Sequence, residues 1–280
     1  SRPISNVFLG MQYNYLNQKS YTFGTNLYSG RFYESIQVNG RVDYPSRLPL
    51  FLAMEMTYNH FDYYKTSSIF IENPHPIYIE QTDRKIDLKI GFPLNRNTKV
   101  TLNTAFINDY DGYSPNNTFE IGNKLDKTVF NASRSTFAFE QYTFNRKQYA
   151  NKGRNFLLSL NYFAGRESYT PGNITDGLTE SAELVASKTE VDRKYRQWFN
   201  LKVSDENYFF AKRKYSLGYL LEAVISNQPL FSNYYSTILA SPAFYPLQDS
   251  RSVFLENFRA TSYFAGGIKN VYSIKRNLDL

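Results

Sequence analysis

The stretch DYDGYSPNNTFE (109–120) spaces Asp109, Asp111 and Glu120 nearly as a calcium loop spaces its oxygen ligands. It lacks the glycine that such a loop needs at its sixth position and a carboxylate at its fifth. An activated serine needs a strained turn of the form G-x-S-x-G. The nearest approach, GYSPN (112–116), lacks the second glycine, and the full pattern occurs nowhere. Asp111-Gly112 and Asp176-Gly177 read as turn formers in loops. His60 and His75 have no partner pattern, and the absence of cysteine removes thiolate nucleophiles, thiolate metal sites and disulfides. The sequence offers no catalytic residue, metal-ligand set or cofactor site. Sequons at Asn116, Asn131 and Asn173 fall where loops are expected.

The remaining chemistry is charge on alternating positions. In RKIDLKIGFP (84–93), Ile86, Leu88, Ile90 and Phe92 share one parity, and Lys85, Asp87, Lys89 and Gly91 share the other. A strand projects successive side chains to opposite faces, so this segment has an oily face and a charged face. The pattern recurs from Val7 to Tyr15, Ile36 to Val42, Leu52 to Tyr58, Val100 to Phe106 and Phe156 to Tyr162. Its cleanest form sets Tyr215, Leu217, Tyr219, Leu221, Ala223 and Ile225 opposite Ser216, Gly218, Glu222 and Ser226. A last stripe runs from Phe264 to Ile274. Helical spacing fits only TESAELVAS (179–187).

Composition agrees with strands. Aromatics make up 18% of the 280 residues, well above an ordinary globular chain. Mean hydropathy is -0.50, and the longest apolar runs, such as NFLLSL, fall far short of the ~20 residues a membrane helix needs. This leaves open a membrane barrel, where only every second residue meets lipid. The net charge of +7 is spread along the chain through polar-face positions, so no nucleic-acid footprint emerges. The chain opens almost at once in strand pattern, with no signal-peptide motif at its start, as expected for a mature piece or a fragment.

The connections discriminate best. Stretches 17–20, 45–49, 95–98, 149–153 and 275–277 read as short turns; 65–76, 111–128, 168–190 and 226–252 read as long loops. A membrane barrel alternates the two because all turns lie on one rim and all loops on the other. Tyr44 near a short turn, and Tyr58, Tyr63, Tyr64, Tyr110 and Tyr162 near long loops, suit interfacial girdles. The expected fold is therefore all-β: one antiparallel transmembrane β-barrel domain over 1–280. Ile86, Leu88, Ile90, Leu217, Tyr219 and Leu221 would face lipid, and Asp87, Glu222, Glu256, Arg259 and Lys269 a polar lumen. A soluble β-rich binding domain, with exposed Tyr and Phe as stacking platforms, is the alternative class.

Three stretches, NRKQYANKGRNFLLSLNYF (145–163), KYSLGYLLEAVISNQPLFSNYYSTILASPAFYP (214–246) and LENFRATSYFAGGIKNVY (255–272), carry a resemblance. They resemble the C-terminal outer-membrane barrel, of the bacterial surface antigen superfamily, found in patatin-like phospholipases of Gram-negative bacteria. The resemblance implies a sixteen-stranded barrel, of which this chain holds about 11–12 strands and lacks the first and last. It also implies that 226–252 folds back into the lumen, although the Arg-Gly-Tyr element usual in that loop is absent. The implied partners are outer-membrane lipid, lipopolysaccharide and a fused hydrolase domain whose G-x-S-x-G and Asp-Gly dyad lie outside this chain. A protein-translocation, assembly or transport barrel of the same superfamily is the other reading.

Overall fold

In a computed structural model, the alternating segments become β-strands. The structure describes residues 7–30, 33–47, 49–65, 77–114, 124–146, 150–172, 191–212, 214–245, 255–275 and 278–279. The strands are β1 (Val7–Leu16), β2 (Ser20–Ser29), β3 (Tyr33–Tyr44), β4 (Leu50–Lys65), β5 (Ile77–Asn95) and β6 (Thr98–Tyr113). They continue as β7 (Asp126–Tyr142), β8 (Gly153–Thr170), β9 (Asp192–Lys212), β10 (Tyr215–Ser226), β11 (Tyr263–Lys275) and β12 (Leu278–Asp279). A short helix, α1 (Tyr234–Ala240), lies between β10 and β11. No described helix is long and apolar enough to cross a membrane.

All twelve strands form one sheet in which spatial order equals chain order, and every adjacent pair is antiparallel. A soluble sandwich packs two sheets face to face, whereas the described strands form a single continuous meander. The sheet is open, with β1 and β12 at its two edges. Connections 17–19, 45–49, 96–97, 143–152, 213–214 and 276–277 all fall on one rim, and 30–32, 66–76, 114–125, 171–191 and 227–262 on the other. The expected sorting of lengths appears, with 30–32 as a short connection on the long-loop rim.

Two expectations about loops need correction. Strand β6 runs through Asp111 and Gly112, and β7 carries Asn131, so these residues sit in ladders rather than loops. Cross-strand pairing extended the strands beyond the point where Asp, Gly and Asn signal a turn; Gly112 pairs with Glu80 on one side and Lys127 on the other. Glu120, His75, Asn116, Asn173, Asp176-Gly177 and the 179–187 stretch lie outside the described residues.

Two clusters of buried side chains lie on one face near the long-loop rim. There 227–245 lies against the sheet, with Leu239 on Ile79 and Tyr113, and Phe231 on Phe130 and Trp198. We call this the inner face. Even away from that segment, inner residues such as Thr101, Ala138 and Ser159 are buried, whereas side chains of the opposite parity stand exposed.

Candidate functional site

The outer face is built by parity alone. On β5, one row reads Arg84, Ile86, Leu88, Ile90, Phe92, Leu94 and then Arg96 in the following turn. Cations thus bracket an apolar run. Register extends that run sideways, because Leu52 and Leu102 flank Ile90, and Met54 and Thr104 flank Leu88. The outer large apolar side chains stay substantially exposed, Ile90 at 43% and Leu102 at 50%, so no other described part of the chain covers this face. Water should not cover a patch this wide either, because contiguous apolar patches on soluble monomers rarely exceed a few hundred Å². Ile86, Leu88, Leu217, Tyr219 and Leu221 lie on this same face.

Aromatic rings close the band at both ends. Toward the short-turn rim, Tyr15 meets Tyr21 at 6.1 Å and Phe210 meets Tyr215 at 6.2 Å. Lys19 Nζ lies 4.6 Å from the centre of the Tyr44 ring, and Arg154 Cζ lies 5.1 Å from that of Phe156. Toward the long-loop rim, Arg84 and Lys127 each stand 5.9 Å from a ring centre, of Tyr58 and Tyr110 respectively. His60 also points outward here, with Nδ1 2.9 Å from Thr82 Oγ1 and Nε2 3.4 Å from Asp62. Arg154 forks onto the Asp205 carboxylate at 2.7 and 3.0 Å, and Tyr219 donates its hydroxyl proton to the same carboxylate at 2.9 Å.

The inner face is a charge network across neighbouring strands. Asp87, 1% exposed, accepts from Asn103 Nδ2 at 2.7 Å and Arg134 at 3.2 Å, with Lys85 Nζ 3.8 Å away. Register sets this up, since Asp87 pairs with Ala105, which pairs with Arg134. Lys89 reaches Glu55 at 3.1 Å. Farther round, Glu222 pairs with Lys202 at 2.9 Å and accepts from the Tyr263 hydroxyl at 2.5 Å, while Lys269 pairs with Glu206 at 2.5 Å. Glu222 is thus held by Lys202 from β9 and Tyr263 from β11. Glu222 lies opposite Ala265 on β11, with Tyr263 two residues along on the same face, and nearer to it than Lys269.

Segment 227–245 is tied to this network at several points. Glu167, 0% exposed, holds Arg196 Nε at 2.8 Å and accepts from the Ser232 backbone N–H at 2.6 Å. Asn233 donates to the Tyr113 hydroxyl. The Asn233 side chain also caps α1 by accepting from Ser236 N–H at 2.9 Å. Glu256 and Arg259 stand beyond the helix rather than on a strand. Tyr234 donates to Glu256 at 2.7 Å, a bond that raises the tyrosine pKa, and Arg259 donates to the Leu239 carbonyl at 3.0 Å.

Asp109 and Asp111 do not make a calcium loop. They sit two apart on β6, pointing to the inner face, where Asp111 accepts from Gln81 Nε2 at 3.0 Å. Among the described residues no group of three or more His, Asp and Glu is placed to hold a metal ion. Reading the sequence did not find Arg134, Glu167, Arg196, Lys202 or Glu206. Each lies on the polar parity, but only the register reveals its partner.

No family profile matches the chain, and no curated protein matches it. Among solved structures it is similar to the crystal structure of BamA from Haemophilus ducreyi lacking POTRA domains 1–3, with 9% sequence identity and a TM-score of 0.39. The match covers 96% of this chain and 64% of that one, so the chain spans less than two thirds of its length.

Proposed function

We propose that the chain forms most of the wall of an outer-membrane β-barrel, with 227–245 folded into its lumen as a plug. The observation that carries this reading is the exposed outer row, apolar from Ile86 to Leu94 and bracketed by Arg84 and Arg96. Hydrocarbon is the solvent such a surface suits, and a bilayer admits strands only where their ladders satisfy every backbone group. The inner charges then brace the wall and hold the plug rather than line an open pore. Purified chain should require detergent, resist carbonate extraction from membranes and shift its gel mobility on heating. A monodisperse preparation free of detergent would overturn the reading.

Within this reading, the barrel serves as the membrane module of a patatin-like phospholipase-family protein, anchoring or displaying a hydrolase domain. Support for that finer assignment is the resemblance over 145–163, 214–246 and 255–272. Those stretches overlap the first part of β8, β10 with the plug, and most of β11. A plug bonded at Glu167 and Tyr113 suits an anchor better than a conduit, which would have to move it. The full open reading frame tests this. A G-x-S-x-G domain fused to the barrel supports the anchor, and repeated periplasmic modules would favour the translocation barrel instead.

A further inference from the structure

The topology sorts charge as well as length. The described residues of the short connections include Lys19, Arg47, Arg96, Arg146, Lys152 and Lys214 and no Asp or Glu, and Lys212 ends the strand beside Lys214. Along the sequence these cations look scattered; the meander gathers them at one end. Lys19, Arg47, Arg96, Lys152, Lys212 and Lys214 are all exposed. Acids near this rim are already held by other cations: Asp43 by Arg41 at 2.5 Å, Glu140 by Lys99 at 2.9 Å and Asp205 by Arg154 at 2.7 Å. Among the described residues no ion pair engages the six exposed cations, and Lys19 lies over the Tyr44 ring.

We propose that the short-turn rim is a basic collar that binds anionic phospholipid headgroups of the adjoining leaflet, an inference that rests on the barrel reading. Tyrosines 15, 21, 44 and 215 lie on the outer face just inside the collar, at the level where aromatic belts meet headgroups. The Lys19–Tyr44 contact holds an ammonium at that same level. Cations within a Debye length of an anionic surface are drawn to it. An acidic protein partner would need a local patch, whereas charge contributed turn by turn along the whole rim matches a planar array of phosphates.

The test is lipid selectivity of the full chain reconstituted in phosphatidylcholine vesicles, read with spin-labelled phosphatidylglycerol and phosphatidylcholine. We expect phosphatidylglycerol to be preferred about fivefold in the immobilised shell, the ratio given by one surface cation–headgroup contact. The preference should weaken in high salt. It should fall markedly when the six exposed cations become Gln, and persist when Lys and Arg are interchanged at those positions. Heat-dependent mobility confirms that each variant is folded. Insertion without preference, or preference undiminished in the Gln variant, would overturn the collar alone. Failure to insert into any vesicle would sink the barrel reading and the collar with it. Binding of polyglutamate at the rim without lipid selectivity would assign the collar to an acidic protein and refute the proposal.

Discussion

Ile90→Arg puts the membrane face to a quantitative test. Arg84 and Arg96 stand twelve residues apart on one parity, with Ile90 midway. At about 3.4 Å per residue and a tilt of roughly 40°, the two cations lie about 31 Å apart along the bilayer normal. Ile86 to Leu94 then covers about 21 Å, close to the ~25 Å apolar band of such barrels. An arginine at position 90 would sit about 16 Å from either headgroup level, with Leu52 and Leu102 beside it and no acid within one strand. The expected cost is about 2–4 kcal/mol, or roughly 30- to 700-fold in the folding constant. Gln37→Arg is the control. Gln37 faces inward, accepts from Asn26 at 3.0 Å and bonds Glu55, so an arginine there meets a carboxylate and should cost under ~1 kcal/mol. Urea unfolding in lipid vesicles, followed by the single Trp198, measures both. Because the chain has no cysteine, Ile90→Cys and Gln37→Cys add an independent probe of sidedness. In intact membranes the first should resist a charged maleimide and the second accept it. Equal costs for the two arginines, or equal labelling of the two thiols by the charged reagent, would refute the assignment of faces.

Four further outcomes are expected. Asp87→Ala leaves Arg134 and Asn103 without their shared acceptor and should cost about 2–3 kcal/mol in urea unfolding, with Asp87→Asn costing roughly half; a neutral alanine would discount the inner network. Glu167→Ala removes the acceptor of both Arg196 and Ser232 N–H, so the plug should become protease-sensitive and Trp198 emission should shift red; unchanged emission would argue against this tether. Gly91→Ala would put a Cβ within 2.1 Å of the Phe51 ring, on which Arg41 sits at 3.9 Å, and should cost about 1–3 kcal/mol by displacing that stack, so a stabilising effect would contradict the packing. The purified chain should not hydrolyse p-nitrophenyl esters, and turnover abolished by a point substitution within it would reverse that expectation.

Parity was the legible part of this chain. Where strands alternate strictly, as at 84–93 and 215–226, sequence alone assigns each side chain to a face, because a pleated strand leaves no other option. Partners across strands were not legible. Glu222 could have met any cation of the polar parity nearby, and only the register of β9 and β11 selects Lys202 and Tyr263. Strand ends were misread where ladder hydrogen bonds outweighed the turn preference of Asp111-Gly112. Asn233 meets Tyr113 across 120 positions of sequence, a separation at which no local pattern carries information. The collar escaped for a similar reason, since only the connectivity brings its cations to one end.

The coincidence of chain order and spatial order has a mechanical consequence. Pulled apart from its edges, such a sheet should yield one strand at a time, each at modest force. Segment 227–245 breaks that sequence. It follows β10 in the chain but is bonded to β6, β8 and β9. Once β12 and β11 have peeled away, extending the chain through 227–262 must break the Glu167 and Tyr113 attachments before β10 can be loaded. The segment behaves as a rivet through several plates: a force trace from the C-terminal end should show one tall rip early, and a trace from the N-terminal end should show it late, after β1 to β5 have come away singly.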